Sequence, residues 1–158
     1  MKIGLFGGTF DPIHMGHLRA AENAREALGL NTIHFIPAGA PPHRVGPKTS
    51  PTDRFAMVAL ATASHPAFVA SDVEVKRAGT SYTIDTLISM REAFPNDELV
   101  LIVGSDAFGD IASWKDTDRI FSMCRVAVVP GVDGSGGLRG QRRDGDASSH
   151  RMAEALRL

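Results

Sequence analysis

The chain has 158 residues, 43% of them hydrophobic, with 17 lysines and arginines against 18 aspartates and glutamates. That length can bury one proper core, and the near-neutral charge excludes a global pull on nucleic acid or an anionic membrane, so phosphate recognition must be local. The single cysteine, Cys124, excludes an internal disulfide framework and a cysteine-built zinc cage. No apolar run reaches the roughly 20 residues that span a bilayer. The start, Met1 to Phe6, lacks the long apolar region of a secretory signal. The expectation is a cytoplasmic protein with small-molecule partners, no nucleic acid and no membrane, with a homo-oligomer left open.

Lys2 to Phe6 is a short apolar run stopped by Gly7-Gly8, which suits a buried first strand. From Gly16 to Leu28 apolar residues recur at helical steps, through Leu18, Ala21, Ala24 and Leu28, and Gly29 and Asn31 supply the stop. Thr32 to Pro37 reads as a second buried strand. After a proline- and glycine-rich connection from Ala38 to Lys48, Ser50-Pro51 with Asp53 marks a helix start that should run to about Ser64. Phe68 to Val75 reads as a third strand, and Lys76 and Arg77 as an ordinary charged loop. Thr80 or Ser81 would cap a helix from Tyr82 to Phe94. Leu99 to Val103 is a buried strand with Gly104-Ser105-Asp106 just past its end. Short helical stretches, Asp106 to Ser113 and Thr117 to Cys124, lead to a last strand, Arg125 to Val129. Cys124 reads as a packing residue, and His34 as a packed or surface histidine.

This alternation predicts an α/β fold: a doubly wound, Rossmann-like parallel sheet of about five strands with helices on both faces. Ligands should then bind at the carboxyl ends of the strands. The core would occupy residues 1–130. Gly131 to Gly145 is rich in glycine and charge and contains no aromatic residue, so 131–158 would be a divergent, irregular tail. His150 to Leu158 could form a short terminal helix.

The residues with chemistry gather after strand one, as Gly7-Gly8-Thr9-Phe10 followed by His14-Met15-Gly16-His17. Glycines let backbone N–H groups approach a phosphate, and the following helix start adds unpaired donors and partial positive charge. Two histidines three apart at a helix entrance can donate into the same space. The spacing fits neither the dinucleotide fingerprint nor the P-loop. On spacing alone, a simple turn with solvated histidines stays open beside a phosphate site.

The segment Gly8-Thr9-Phe10-Asp11-Pro12-Ile13-His14-Met15-Gly16-His17 resembles the Gly-x-Phe-Asp-x-x-His-x-Gly-His motif of the nucleotidylyltransferase superfamily. Pro41-Pro42-His43-Arg44, Ser81-Tyr82-Thr83-Ile84-Asp85-Thr86-Leu87, and Gly104-Ser105-Asp106 with Trp114 resemble its bacterial nicotinate-mononucleotide adenylyltransferase branch. The resemblance implies transfer of an adenylyl group from ATP to nicotinate mononucleotide, forming deamido-NAD and pyrophosphate in NAD biosynthesis. It implies His14 and His17 as the catalytic pair and Gly7, Gly8, Thr9, Phe10, Arg44, Gly104 and Asp106 as the ATP and phosphate-binding residues. Tyr82, Thr83 and Trp114 would frame the nicotinate nucleotide. Mg2+ would accompany ATP, bridging phosphates through water and substrate oxygens without a protein cage.

Bland readings stand beside these: Trp114 as core, Asp106 as a helix cap, Arg44 as a solvated side chain. The resemblance also implies a Ser-Ser-Thr-x-x-Arg-like segment after the last strand, which Ala147-Ser148-Ser149-His150-Arg151 only partly matches. The tail is thus expected to be truncated, frameshifted or divergent. The alternatives are a sister transferase acting on nicotinamide mononucleotide, phosphopantetheine or a cytidine nucleotide, and an impaired ATP-binding protein.

Overall fold

The computed structural model describes residues 1–39, 49–130 and 156–157. Its elements in chain order are β1 (Lys2–Gly8), α1 (Met15–Leu28), β2 (Thr32–Pro37), α2 (Pro51–Thr62), β3 (Phe68–Ala70), α3 (Thr83–Ala93), β4 (Glu98–Gly104), α4 (Ser105–Gly109), a single 3-10 turn (Ile111–Ser113), α5 (Thr117–Met123), β5 (Arg125–Val129) and β6 (Leu156–Arg157). The strands form one parallel sheet in the order β3-β2-β1-β4-β5-β6. This is the doubly wound arrangement: the chain winds outward from β1 through β2 and β3, then returns to β4 on the other side. The reversal opens a crevice at the carboxyl ends of β1 and β4.

Strand alternation builds a core on each face. In β4, Leu99, Leu101 and Val103 pack with Ile84, Leu87 and Met90 of α3 and with Ile120 of α5. The intervening Val100 and Ile102 pack with Ala21 and Ala24 of α1 and Val58 of α2. Both sets are buried because a parallel sheet is covered on both sides. Gly4 of β1 is the narrow point, where a Cβ would lie 2.9 Å from a Leu30 methyl carbon. Among the described residues no helix is long and apolar enough to cross a membrane.

Local signals account for most of the helix ends. Ser50 Oγ accepts the Asp53 N–H at 3.2 Å, with Pro51 in the first turn. Gly29 ends α1 in the left-handed conformation at φ 63°, and its N–H bonds the Arg25 carbonyl. Cys124 is partly buried, and burial pushes its thiol up to about 11, which suits a packing role. His34 lies in β2 with its ring 5.4 Å from that of Phe94, and burial lowers its pKa.

Four expectations need correction. The third strand stops at Ala70 instead of Val75, because Asp72 and Glu74 carbonyls accept the Lys76 and Arg77 N–H groups and turn the chain. Neither Thr80 nor Ser81 caps α3: Tyr82 occupies the N-cap and makes no side-chain cap bond, while Ser81 Oγ accepts from Arg77. Leu156 and Arg157, at the end of the expected terminal helix, pair as a strand with Ala127 and Val128 of β5, and the rest of that stretch lies outside the described residues. That makes the sheet six-stranded, since an open sheet edge supplies backbone partners that outweigh a weak local helix preference. Arg77 is no ordinary loop charge, as shown below, whereas Lys76 pairs with Asp72 at the surface. Arg44, the Pro41-Pro42-His43-Arg44 segment and the Ser148-Ser149 region lie outside the described residues.

Candidate active site

The sequence-selected residues converge on the predicted end of the sheet. Gly7 and Gly8 close β1, and Gly104 closes the adjacent β4 with Asp106 in the first turn of α4. A Cβ placed on Gly104 would meet no described residue within 4 Å, so among the described residues the strand end is open. Gly8 is held differently: a Cβ there would lie 3.2 Å from the Phe10 ring. Phe10 itself takes a positive φ of 48°, unusual for an aromatic residue, and is 2% exposed. Packing against Phe6, Phe35 and His17, with ring centroids 5.6, 6.0 and 5.0 Å away, holds it there. The turn therefore rests on a buried aromatic cluster, with its backbone toward the crevice end of the sheet.

The two histidines form the start of α1. His14 is the N-cap, its Nδ1 accepting the Gly16 N–H at 3.0 Å, and His17 Nδ1 accepts the His14 N–H at 3.1 Å. This is a capping box written in imidazoles. The rings lie 3.9 Å apart at 36°. With each Nδ1 accepting a backbone hydrogen bond, the ring proton is assigned to Nε2, so each ring keeps an N–H donor on its other nitrogen. His17 is 5% exposed and His14 is exposed. One ring is thus locked in the aromatic cluster while the other lies at the surface of the turn. Such an arrangement supplies hydrogen-bond donors to an anion, with backbone N–H groups of the same turn beside them.

A second group lies at the start of α3. Tyr82 and Trp114 are both partly buried and pack against the same core cluster, and Lys115 Nζ sits 4.7 Å from the Tyr82 ring centre. Trp114 is therefore a core contact and a half-exposed aromatic surface at once. Thr83 begins α3 beside Tyr82. Asp106 does not cap α4, whose N-cap Gly104 has no side-chain bond.

Sequence reasoning missed Arg54. It is completely buried and its guanidinium reaches three carbonyls: Thr9 at 2.7 Å, Thr49 at 3.1 Å and Gly39 at 3.5 Å. Burial lowers its pKa, and the charge of Asp11 acts in the opposite direction. Arg54 ties the turn after β1 to the loop after β2 and to the entry of α2. A signal was available, because Arg54, Val58 and Thr62 recur at four-residue steps and form the buried stripe of α2. A charge on such a stripe must be paired.

Residues 5–152 match the cytidylyltransferase-like family. The chain belongs to that family. Within it, the chain is 51% identical over 130 residues to a protein from Geotalea uraniireducens named "Probable nicotinate-nucleotide adenylyltransferase", an alignment covering 82% of this chain and 60% of that protein. A protein of the same name from Desulfitobacterium hafniense strain Y51 is 45% identical over 146 residues, covering 90% of this chain and 70% of its own length. This family member spans about 60% of the length of several curated relatives it matches. Its fold is similar to that of Plasmodium falciparum nicotinic acid mononucleotide adenylyltransferase complexed with NaAD, at a TM-score of 0.75 and 17% identity, covering 99% of this chain and 75% of the other. The cytidylyltransferase-like fold thus agrees with the Rossmann-like sheet expected from the alternating pattern.

Gly104→Val tests the open strand end. Its backbone, at φ −68° and ψ 153°, suits any residue, and among the described residues nothing lies within 4 Å of a Cβ placed there. The thermal midpoint should stay unchanged, and an ATP affinity about tenfold or more below that of the wild type would place Gly104 in a nucleotide site through lost space. Titration calorimetry with ATP checks this, and unaltered affinity would remove Gly104 from the nucleotide site.

Proposed function

We propose that this chain transfers the adenylyl group of ATP to nicotinate mononucleotide, giving deamido-NAD and pyrophosphate. The observation that carries the reading is the imidazole capping box of His14 and His17 at the carboxyl end of β1, beside Gly104 at the end of β4. Relatives named for this activity, at 45–51% identity, support the choice of acceptor.

A phosphate oxygen of the mononucleotide attacks the α-phosphorus of ATP. A new P–O bond forms, the bond from the α-phosphorus to the bridging oxygen breaks, and that oxygen leaves with pyrophosphate. The attacking oxygen is already ionised, so no nucleophilic side chain and no general base are required. Catalysis then comes from positioning and from stabilising charge on the phosphoryl oxygens and the leaving group. In this reading His14, His17 and the backbone of Gly7, Gly8, Thr9 and Phe10 donate to ATP phosphates, and Arg44 adds a cation. Gly104 gives the adenosine room, with Asp106 accepting from a ribose hydroxyl. Tyr82, Thr83 and Trp114 hold the pyridine nucleotide, Trp114 by stacking. The donor set consists of N–H groups, which suit phosphate oxygens. A magnesium ion accompanying ATP would need no protein cage here and would supply charge neutralisation on the phosphates.

The test is pyrophosphate release and dinucleotide formation from ATP with nicotinate mononucleotide, nicotinamide mononucleotide and phosphopantetheine, and from CTP. Nicotinate mononucleotide should give the highest kcat/KM. Preference for another acceptor would replace the substrate assignment, and ATP binding with no product from any acceptor would leave a nucleotide-binding protein.

A further inference from the structure

A polar cluster that the proposed reaction does not use lies between the loop after β2 and the start of α3. Thr86 Oγ1 donates to Glu74 Oε2 at 3.1 Å and accepts from Arg77 Nη1 at 3.1 Å. The same Arg77 nitrogen donates to Ser81 Oγ at 3.3 Å, and Nη2 donates to Ser89 Oγ at 3.3 Å. Ser81 and Thr86 are each 5% exposed. Across the cluster, the Gly39 backbone lies against Glu74 and acts to lower its carboxyl pKa. Gly39 also passes so close that a Cβ would lie 2.5 Å from the Glu74 carbonyl oxygen. The Gly39 carbonyl in turn accepts from Arg54.

Two facts give this cluster a task beyond general packing. The N-cap of α3, Tyr82, makes no side-chain cap bond, so the placement of that helix start depends on neighbours. The neighbours that hold it are Arg77, through Ser81 and Thr86, and Glu74, through Thr86. Burial pushes the Glu74 carboxyl upward from its usual value, while Thr86, Arg77 and Gly39 oppose that shift. A carboxylate kept in such surroundings is stabilised by its partners, and a hydroxyl clasped between a carboxylate and a guanidinium has one defined orientation.

We propose that Glu74 and Arg77 are positioning residues for the acceptor nucleotide, clamping the Ser81-Tyr82-Thr83 segment through Thr86 at a set distance from Gly39 and the exit of β2. The inference rests on the functional reading above for the identity of the nucleotide, though the clamp itself is a property of the fold. Their hydrogen bonds go to Ser81, Thr86 and Ser89, so their effect is exerted through Ser81 to Thr83.

Thr86→Val removes the hydroxyl at almost constant volume, and Thr86→Ser keeps it. Thr86→Val should raise KM for nicotinate mononucleotide about tenfold, roughly one charge-assisted hydrogen bond, with KM for ATP within about twofold. Thr86→Ser should restore the wild-type value, and Glu74→Ala should reproduce the Val phenotype. Hydrogen exchange of the backbone amides at 81–84 should quicken in Thr86→Val and stay slow in Thr86→Ser. Unchanged acceptor KM in Thr86→Val, equal rises in both KM values, or failure of the Ser variant to restore would overturn the proposal. If the wild-type chain makes no dinucleotide from nicotinate mononucleotide, the functional reading fails and exchange decides the clamp. Faster exchange in the Val variant alone sustains it, and equal exchange in all three proteins overturns it.

Discussion

His17→Ala should lower kcat/KM for the proposed adenylyl transfer by about 10²–10³-fold, the usual cost of deleting one preorganised donor to a developing anion. The side chain holds two positions at once. Its Nδ1 accepts the His14 N–H at 3.1 Å, and its ring packs 5.0 Å from Phe10. Alanine loses both, so stability should fall by about 0.5–2 kcal/mol from the lost cap, with a further packing loss from the buried ring. His17→Gln separates the two roles. A glutamine at the third helical position can accept the His14 N–H as in an ordinary capping box, so it should recover most of the lost stability. It does not reproduce the imidazole Nε2 donor, so turnover should remain low. Pyrophosphate release beside thermal unfolding of both variants checks this. A wild-type rate in His17→Ala would show that the motif is a turn and nothing more.

Arg54→Ala should give the largest loss of stability. It leaves the carbonyls of Thr9, Gly39 and Thr49 without the guanidinium in a place where the side chain is completely buried. At about 1–3 kcal/mol for each buried group left unpaired, with partial relief from water or relaxation, the expected cost is about 3–5 kcal/mol. Lysine keeps the charge, but one ammonium cannot reproduce a planar fork that addresses three separate segments. Arg54→Lys should therefore recover less than half of the stability. Because Thr9 lies in the turn proposed to hold the ATP phosphates, the lysine variant should also turn over more slowly where it remains folded. Urea unfolding reads the first effect and pyrophosphate release the second. A loss below about 1 kcal/mol in Arg54→Ala would mean that the three carbonyls find other partners.

These two residues differ in how visible they are in the amino-acid order. His14 and His17 stand in a short run with glycines on one side and a helical period on the other, and that context alone puts them at a strand end. Arg54 lies in a helix whose start is evident from Ser50, Pro51 and Asp53, yet its partner Thr9 is 45 residues away. Its buried position could have been inferred from the stripe it shares with Val58 and Thr62, but its partners could not. Glu74 and Arg77 carry still less signal: two charges in a turn look solvated until Gly39, Ser81 and Thr86 close around them. The left-handed Phe10 belongs with them, because only the packing of Phe6, Phe35 and His17 makes that backbone state worthwhile.

The boundary follows the range of the forces. Elements set by neighbours along the chain were legible in the order of residues: β1, β2, β4 and β5 from apolar runs, α1 and α2 from period and caps, the crevice from the alternation of strand and helix. The turn and helix start of the Gly8-to-His17 run were legible too, since such a turn is built from consecutive residues. Tertiary structure decided what depends on distant partners. It ended β3 at Ala70, left α3 without a side-chain cap, paired Leu156 and Arg157 with β5, joined Thr9 and Gly39 through Arg54, and set Gly39 against the Glu74 that accepts from Thr86. A buried polar group must find its partner wherever the fold brings one, and that requirement acts through space with no trace in local spacing.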